Sequence, residues 1–83
     1  MSIKEHLFSV YDEKADAFTQ CFQMKTKGLA IRAIQDLLDD ENHQFSKHCT
    51  EFVLYQLAEY DLNTGEVLPN LTPVGRLSEL KKE

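Results

Sequence analysis

The chain lacks long apolar runs, since no stretch of its 83 residues approaches the about 20 apolar residues needed to cross a bilayer. No signal-peptide pattern opens it, so we expect a cytoplasmic protein with no membrane contact. Cysteine is also scarce. Because the cytoplasm keeps thiols reduced, Cys21 and Cys49 are predicted to be free thiols.

Residues suited to metal or covalent chemistry are few and poorly spaced. The three glycines form no glycine-rich phosphate loop, and no Cys-x-x-Cys pair is present. His43 and His48 suit zinc by type, but side chains five positions apart do not share a helix face. The neighbours His48 and Cys49 do not establish the geometry that nucleophilic catalysis needs. The sequence therefore predicts no catalytic residue, no metal and no cofactor, and hence a protein that is not an enzyme.

Positive charge is in deficit, with nine Lys and Arg against fourteen Asp and Glu and a formal net charge of −5. A protein that coats nucleic acid through bulk charge would be basic, so only a local basic patch could serve that purpose here. The apolar fraction of 42% and charged fraction of 28% are ordinary for a globular chain. We expect a single domain spanning residues 1–83.

One stretch, Thr26–Asp40, has clear helical periodicity. Its apolar residues recur every three or four positions and form one stripe: Ala30, Ile31, Ala33, Ile34, Leu37 and Leu38. Thr26 precedes the stripe and can cap the helix with its hydroxyl. This segment is predicted to be the central helix, followed by a loop over 41–50 with one helical turn that buries Phe45.

Two segments before the helix have strand character, His6–Asp12 and 18–24, and a short polar connection between them predicts a hairpin. Alternation places Phe18, Phe22 and Met24 on one face of the second strand.

After the helix, Phe52–Asp61 is the strongest strand prediction, and apolar residues on both of its faces predict a central strand or one whose second face meets another subunit. A turn over 61–65 would lead into a short fourth strand that Pro69 stops. The segment 70–83 is predicted to be loose or to form a short helix.

These elements predict an α+β fold, with a small antiparallel sheet of about four strands in ββαββ order and one central helix packed on one face. A single helix covers only one face of a sheet. We therefore expect a homodimer or higher oligomer that uses the uncovered face or the strand edges.

The residues leave two interpretations of the helix start open. Lys25, Lys27 and the positive helix end could bind a phosphate, with Arg32 about one turn further on. The more common case is a solvated loop before an ordinary helix. The strand aromatics could likewise stack on bases or belong to the core or a dimer interface, and the second is favoured. These aromatics are Phe8, Phe18, Phe22, Tyr55 and Tyr60.

Three stretches in fixed order carry a resemblance to a known family: an opening strand with a charged turn over 7–14, the helix with Ala30-Ile31-Arg32-Ala33 and Asp36-Leu37, and the segment from His48 to Glu66. Over roughly residues 7–68 the chain resembles the small nonstructural protein of gokushoviruses, single-stranded DNA phages of the microvirus family. The resemblance implies a protein of the host bacterial cytoplasm that is not kept in the mature virion.

Members of that family are described as DNA-binding or as helping the switch to single-stranded genome synthesis. The resemblance thus favours an accessory protein that binds single-stranded DNA, with the cations of the helix start positioning phosphates. The candidate phosphate contacts are Lys25, Lys27 and Arg32, with Lys4 and Lys14 as helpers.

Two alternatives do without DNA. The first is an adaptor that binds a phage replication protein or a host protein through the acidic end of the helix. Its surface would comprise Asp36, Asp39, Asp40 and Glu41. The second is a transient assembly scaffold, which would associate with coat protein.

Overall fold

The computed structural model describes residues 3–81. Within that range the chain forms five strands, three helices and a 3₁₀ turn at Cys49–Glu51. The strands are β1 (Lys4–Asp12), β2 (Ala17–Phe18), β3 (Phe22–Met24), β4 (Phe52–Asp61) and β5 (Val67–Arg76), and the helices are α1 (Lys27–Leu38), α2 (Gln44–Lys47) and α3 (Leu77–Leu80). No helix of this part of the chain is long and apolar enough to cross a bilayer.

The strands form one antiparallel sheet in the order β2-β1-β4-β5, and β3 also pairs with β1. The predicted α+β fold with a small antiparallel sheet is confirmed, and the count is five strands rather than four. The predicted second strand is divided into β2 and β3. The predicted central position of β4 is confirmed, since it lies between β1 and β5.

The division of the second strand comes from contacts that the sequence does not show. The backbone N–H and the hydroxyl of Thr19 both donate to the Val10 carbonyl oxygen, at 2.8 and 2.9 Å. The Ser9 hydroxyl donates to the Thr19 carbonyl oxygen at 2.8 Å. Thr19 thus stays bonded to β1, and the register then shifts by one residue, because Tyr11 pairs with Phe18 but Phe8 pairs with Phe22. One continuous strand over 18–24 was therefore the wrong prediction.

The break also separates two aromatic rings that were predicted to share a face. Phe22 is opposite Phe8 in the sheet and stacks on it in the core, with ring centroids 5.8 Å apart. Phe18 is opposite Tyr11 and contacts that ring at 4.9 Å on the other side of the sheet. The shared face was therefore wrong for Phe18.

Helix α1 confirms the predicted capping, because the Thr26 hydroxyl accepts a hydrogen bond from the Leu29 amide at 3.1 Å. Ala30, Ile34 and Leu38 form the buried face of the helix. Leu37 was predicted within this stripe but is 39% exposed. It lies about 60° around the helix from Ile34, at the edge of the buried face.

The core lies between α1 and the inner face of the sheet. Its buried apolar residues come from every part of the chain: Phe8, Val10, Ala30, Ile34, Leu38, Phe45, Phe52, Leu54 and Leu77. The predicted helical turn around Phe45 is confirmed as α2, and the Phe45 ring packs against Phe52 at 4.9 Å.

The final strand differs most from the prediction. β5 continues through Pro69 and Pro73 to Arg76, so neither the stop at Pro69 nor a loose segment over 70–76 is correct. Proline is tolerated here because β5 is an edge strand and both prolines adjoin register shifts in its pairing with β4. Residues 82–83 lie outside the described residues.

The predicted β4–β5 turn and C-terminal helix are both present. The Asp61 carboxylate accepts from the amides of Asn63 and Thr64, and Gly65 has a φ of 79°, which favours glycine. After β5, α3 returns against the strand, and a Cβ on Gly75 would meet Leu80 at 3.1 Å. This close approach brings Leu77 into the core.

Candidate nucleic-acid interface

Three of the five candidate cations gather at one end of the molecule. Lys25 lies between β3 and α1, and Lys27 is the first residue of the helix. The pairing of His6 with Met24 brings the beginning of β1, and with it Lys4, to the same end. All three side chains are exposed. We call Lys4, Lys25 and Lys27 the basic end.

The other two candidate cations lie elsewhere. Lys14 is in the turn after β1, roughly 27 Å along the strand from Lys4. Arg32 is exposed on α1, about 140° around the helix from Lys27, and so occupies a different side of it. The fold therefore places Lys4 near the helix start and Lys14 far from it.

The helix start at the basic end favours an anion, and the nearby Asp61 is opposite Lys4 in the sheet. The first turn of α1 carries no acidic side chain, so the positive end of the helix dipole is not neutralised there. Within residues 3–81 the Arg76 guanidinium pairs with Glu13, and His48 lies 4.0 Å from the Glu51 carboxylate; neither contact involves the basic end. A Cβ on Gly28 would meet nothing closer than the Thr26 hydroxyl at 3.8 Å, so the first turn is open to a ligand.

The alternative surface is at the opposite end of α1. The carboxylates there are exposed, and the residues concerned are Asp36, Asp39, Asp40 and Glu41. The Asp40 side chain accepts from the Asn42 amide at 3.0 Å, which shapes the turn after the helix. Twelve helical residues separate the two ends by about 18 Å. Exposed lysines and exposed carboxylates thus lie at opposite ends of α1.

The aromatic candidates divide between the two sides of the sheet. Phe8 is fully buried and cannot stack on a base, and Phe22 is half-buried against it. Tyr11, Phe18 and Tyr55 cluster on the side away from α1, with ring centroids 4.9 to 6.3 Å apart. We call this side of the sheet the open face.

Hydrogen bonds and an ion pair border the open face. The Arg76 guanidinium donates to both carboxylate oxygens of Glu13, at 2.6 and 3.2 Å, and to the Thr50 carbonyl oxygen at 2.7 Å. This ion pair lowers the pKa of Glu13. The Tyr11 hydroxyl donates to the Asp16 carboxylate, and that bond raises the pKa of Tyr11.

We expect one of the three tyrosines to titrate above the ordinary value of 10.0 when phenolate absorbance is followed against pH. That component should disappear in Tyr11→Phe and move toward 10.0 in Asp16→Asn, where asparagine tolerates the positive φ of that position. Because the folded pKa is raised, the bond stabilises the fold below pH 10 and is lost as pH rises through the folded value. Identical titration curves in wild type and Asp16→Asn would contradict this.

The histidines and cysteines are not assembled into a metal site. The His43 Nδ1 atom accepts from the Phe45 amide at 3.0 Å and so caps α2. Across residues 3–81 no group of three or more His, Cys, Asp or Glu side chains could hold a metal ion. Cys21 is exposed, Cys49 is half-buried, and the two are not bridged.

A groove that the sequence did not predict lies beside the break in the second strand. Its volume is about 300 Å³, and it is lined by Val10, Phe22, Ile34, Leu37 and Phe45 together with residues 19–21. The missing strand segment leaves this side of the core thinly covered, which explains the exposure of Leu37. The lining is mostly apolar and presents no cluster of titratable groups.

Comparison with known proteins identifies the family. The model of a family described as Phage ORF5 protein matches residues 5–80, from β1 to the end of α3. No curated protein and no solved structure matches the chain. Since the match covers nearly all of the 83 residues, the chain belongs to the Phage ORF5 protein family and is a bacteriophage protein.

Proposed function

We propose that this phage protein is a nonstructural accessory protein of a gokushovirus that binds single-stranded DNA. It would act in the host bacterial cytoplasm, during genome replication or the switch to single-stranded synthesis, and would not remain in the mature virion. The observation that carries the proposal is the basic end. There Lys4, Lys25 and Lys27 are exposed beside the start of α1, without a carboxylate partner among residues 3–81.

The basic end offers a phosphate two kinds of attraction. The lysine ammonium groups supply charge, and the first turn of α1 adds backbone amides and the positive end of the helix dipole. A patch at one end of so small a domain touches few phosphates. A flexible single strand can bend around such a patch, whereas duplex DNA is stiff over about 150 base pairs.

The rest of the molecule limits how tightly one copy can bind. A net charge of −5 opposes the approach of DNA, and the acidic end of α1 lies about 18 Å from the basic end. Affinity would therefore depend on several copies that bind the same strand together.

Fluorescence anisotropy of labelled single-stranded DNA, titrated with protein over a range of salt concentrations, tests the proposal. Three phosphate contacts predict that the logarithm of the binding constant falls with the logarithm of salt with a slope of about −2. A duplex of the same sequence should bind more weakly. No saturable binding even at low salt would overturn the proposal, and the acidic end of α1, as a protein-binding surface, would then become the leading candidate.

A further inference from the structure

The groove beside the break in the second strand lies at the same edge of the sheet as the start of α1. β2 and β3 both pair with β1 on the side away from β4, so they form this edge, and residues 19–21 connect them there. Phe22 lines the groove, and Lys25 of the basic end follows three positions later. Because a fully extended chain advances no more than about 3.6 Å per residue, the two Cα atoms are at most about 11 Å apart. The groove and the basic end are therefore neighbours.

The lining of the groove suits an uncharged group with an apolar face and a polar edge. Phe22 is only half-buried although its ring stacks on Phe8, and Phe45 adds a second ring. Leu37 contributes an aliphatic group that is 39% exposed. Gln20 is exposed at the groove, and its side-chain amide offers both a hydrogen-bond donor and an acceptor. The lining residues, all within 3–81, include no Lys, Arg, Asp, Glu or His, so a charged ligand would find no counter-ion among them.

We propose that the groove takes one unstacked base of the single strand whose phosphates the basic end holds. The inference rests on the function proposed above and adds a base contact to the same site. A nucleobase is uncharged, with a flat face that packs on aromatic side chains and an edge that hydrogen-bonds to an amide. The groove volume of about 300 Å³ is at the lower limit for small-molecule pockets, which limits the occupant to a single base. A strand covers the distance from Lys25 with about three nucleotides at the 3.4 Å spacing of stacked DNA, and with fewer when extended.

Such a contact would distinguish single strands from duplexes, because a paired base must first be extruded from its stack. It would also limit the stretch of DNA that one copy contacts. The acidic end of α1 lies beyond the groove, and Asp40 follows Leu37 by about one helical turn. Its carboxylates repel further phosphates, so the strand is expected to leave the surface after the groove.

The ring cluster of the open face is a less suitable place for the base. Tyr11 is seven residues along β1 from Lys4, which corresponds to about 23 Å. A base on these rings could not be close in the strand to a phosphate held at the basic end. Glu13 and Asp16 also border the cluster, so a phosphate beside it would meet carboxylates.

Strands with and without bases separate the two contacts. Fluorescence anisotropy would compare a short labelled oligothymidylate with an abasic strand of the same length, which carries the same phosphates. We expect the oligothymidylate to bind about tenfold more tightly with the same salt slope, because a base that stacks on aromatic side chains strengthens binding by about that factor. Equal affinities would overturn the inference and leave the proposed function standing. No binding of either strand would overturn both.

Leu37→Asp and Leu68→Asp test whether the base lies in the groove. They make the same charge change at side chains that are 39% and 42% exposed, and Leu68 is in β5 at the opposite edge of the sheet. A carboxylate at the groove would lose its hydration when a base enters, so Leu37→Asp should bind the two strands equally. Leu68→Asp should keep the tenfold difference. Circular dichroism controls for folding.

Cys21 provides a further test in the wild-type protein. It is exposed and lines the groove, whereas Cys49 is half-buried and outside it. Saturating oligothymidylate should slow the alkylation of Cys21 by iodoacetamide, an uncharged reagent, and the abasic strand should not. The rate at Cys49, measured by mass spectrometry of the same digest, should stay constant. Equal rates at Cys21 with the two strands, or a tenfold difference that persists in Leu37→Asp, would place the base elsewhere and overturn the inference.

Discussion

Replacing Leu77 with alanine is expected to lower the free energy of unfolding by about 2–5 kcal/mol. Leu77 is the first residue of α3 and is 0% exposed, and it belongs to the core with Phe52 and Leu54. Truncation leaves a cavity as well as removing apolar contacts. A small domain has a total stability of only about 5–15 kcal/mol, so the loss is a large fraction of it.

Leu71→Ala is the matched control, since it makes the same substitution six positions earlier at a side chain that is 63% exposed. Its effect should stay within about 0.5 kcal/mol. Urea titrations followed by circular dichroism measure the loss of unfolding free energy in each variant. The loss is obtained from the shift in the urea midpoint when the slope of free energy against urea concentration is unchanged. Equal midpoints for the two variants would mean that α3 is not part of the core.

The elements that the sequence predicted well are those fixed by local patterns. Thr26 and the apolar spacing that follows it define α1, and the alternation over Phe52–Asp61 gives β4 with its observed bounds. Asp61 and Gly65 act through turn chemistry within a few positions of each other. Each of these signals is contained in a short window of sequence.

The errors arose where long-range contacts decide the structure. The second strand is broken because its pairing with β1 shifts by one residue between Phe18 and Phe22. Pro69 and Pro73 are compatible with β5 only because that strand lies at the edge of the sheet and is irregularly paired. Strand order and register are not contained in the residues nearest a proline.

In the candidate site, too, local sequence predicted some positions correctly, whereas strand register decided the others. Lys25 and Lys27 lie beside the start of α1, as their position before the helical pattern implied. Of the two predicted helpers, Lys4 lies near the helix start and Lys14 far from it, and both placements follow from the register of β1, which the sequence did not supply. An uncovered sheet face was predicted, but Phe18 could not be assigned to it, because its side depends on the break that separates Phe18 from Phe22.

The double variant Lys25→Glu with Lys27→Glu is expected to weaken single-stranded DNA binding about a hundredfold at low salt, since two attractions become repulsions. The salt slope should become shallower by about 1.4, or about 0.7 for each lost phosphate contact. Anisotropy titrations over a salt series measure both quantities. Unfolding is not expected to be the cause, because both side chains are exposed and a glutamate at a helix start is favourable.

Lys14→Glu with Lys47→Glu is the control, because it changes the net charge by the same amount at exposed lysines away from the basic end. If the basic end holds the phosphates, this control should lose only a few-fold in affinity and keep the wild-type salt slope. Equal losses in the two double variants would show that net charge alone governs binding. Unchanged affinity in the first variant would remove the basic end as the site.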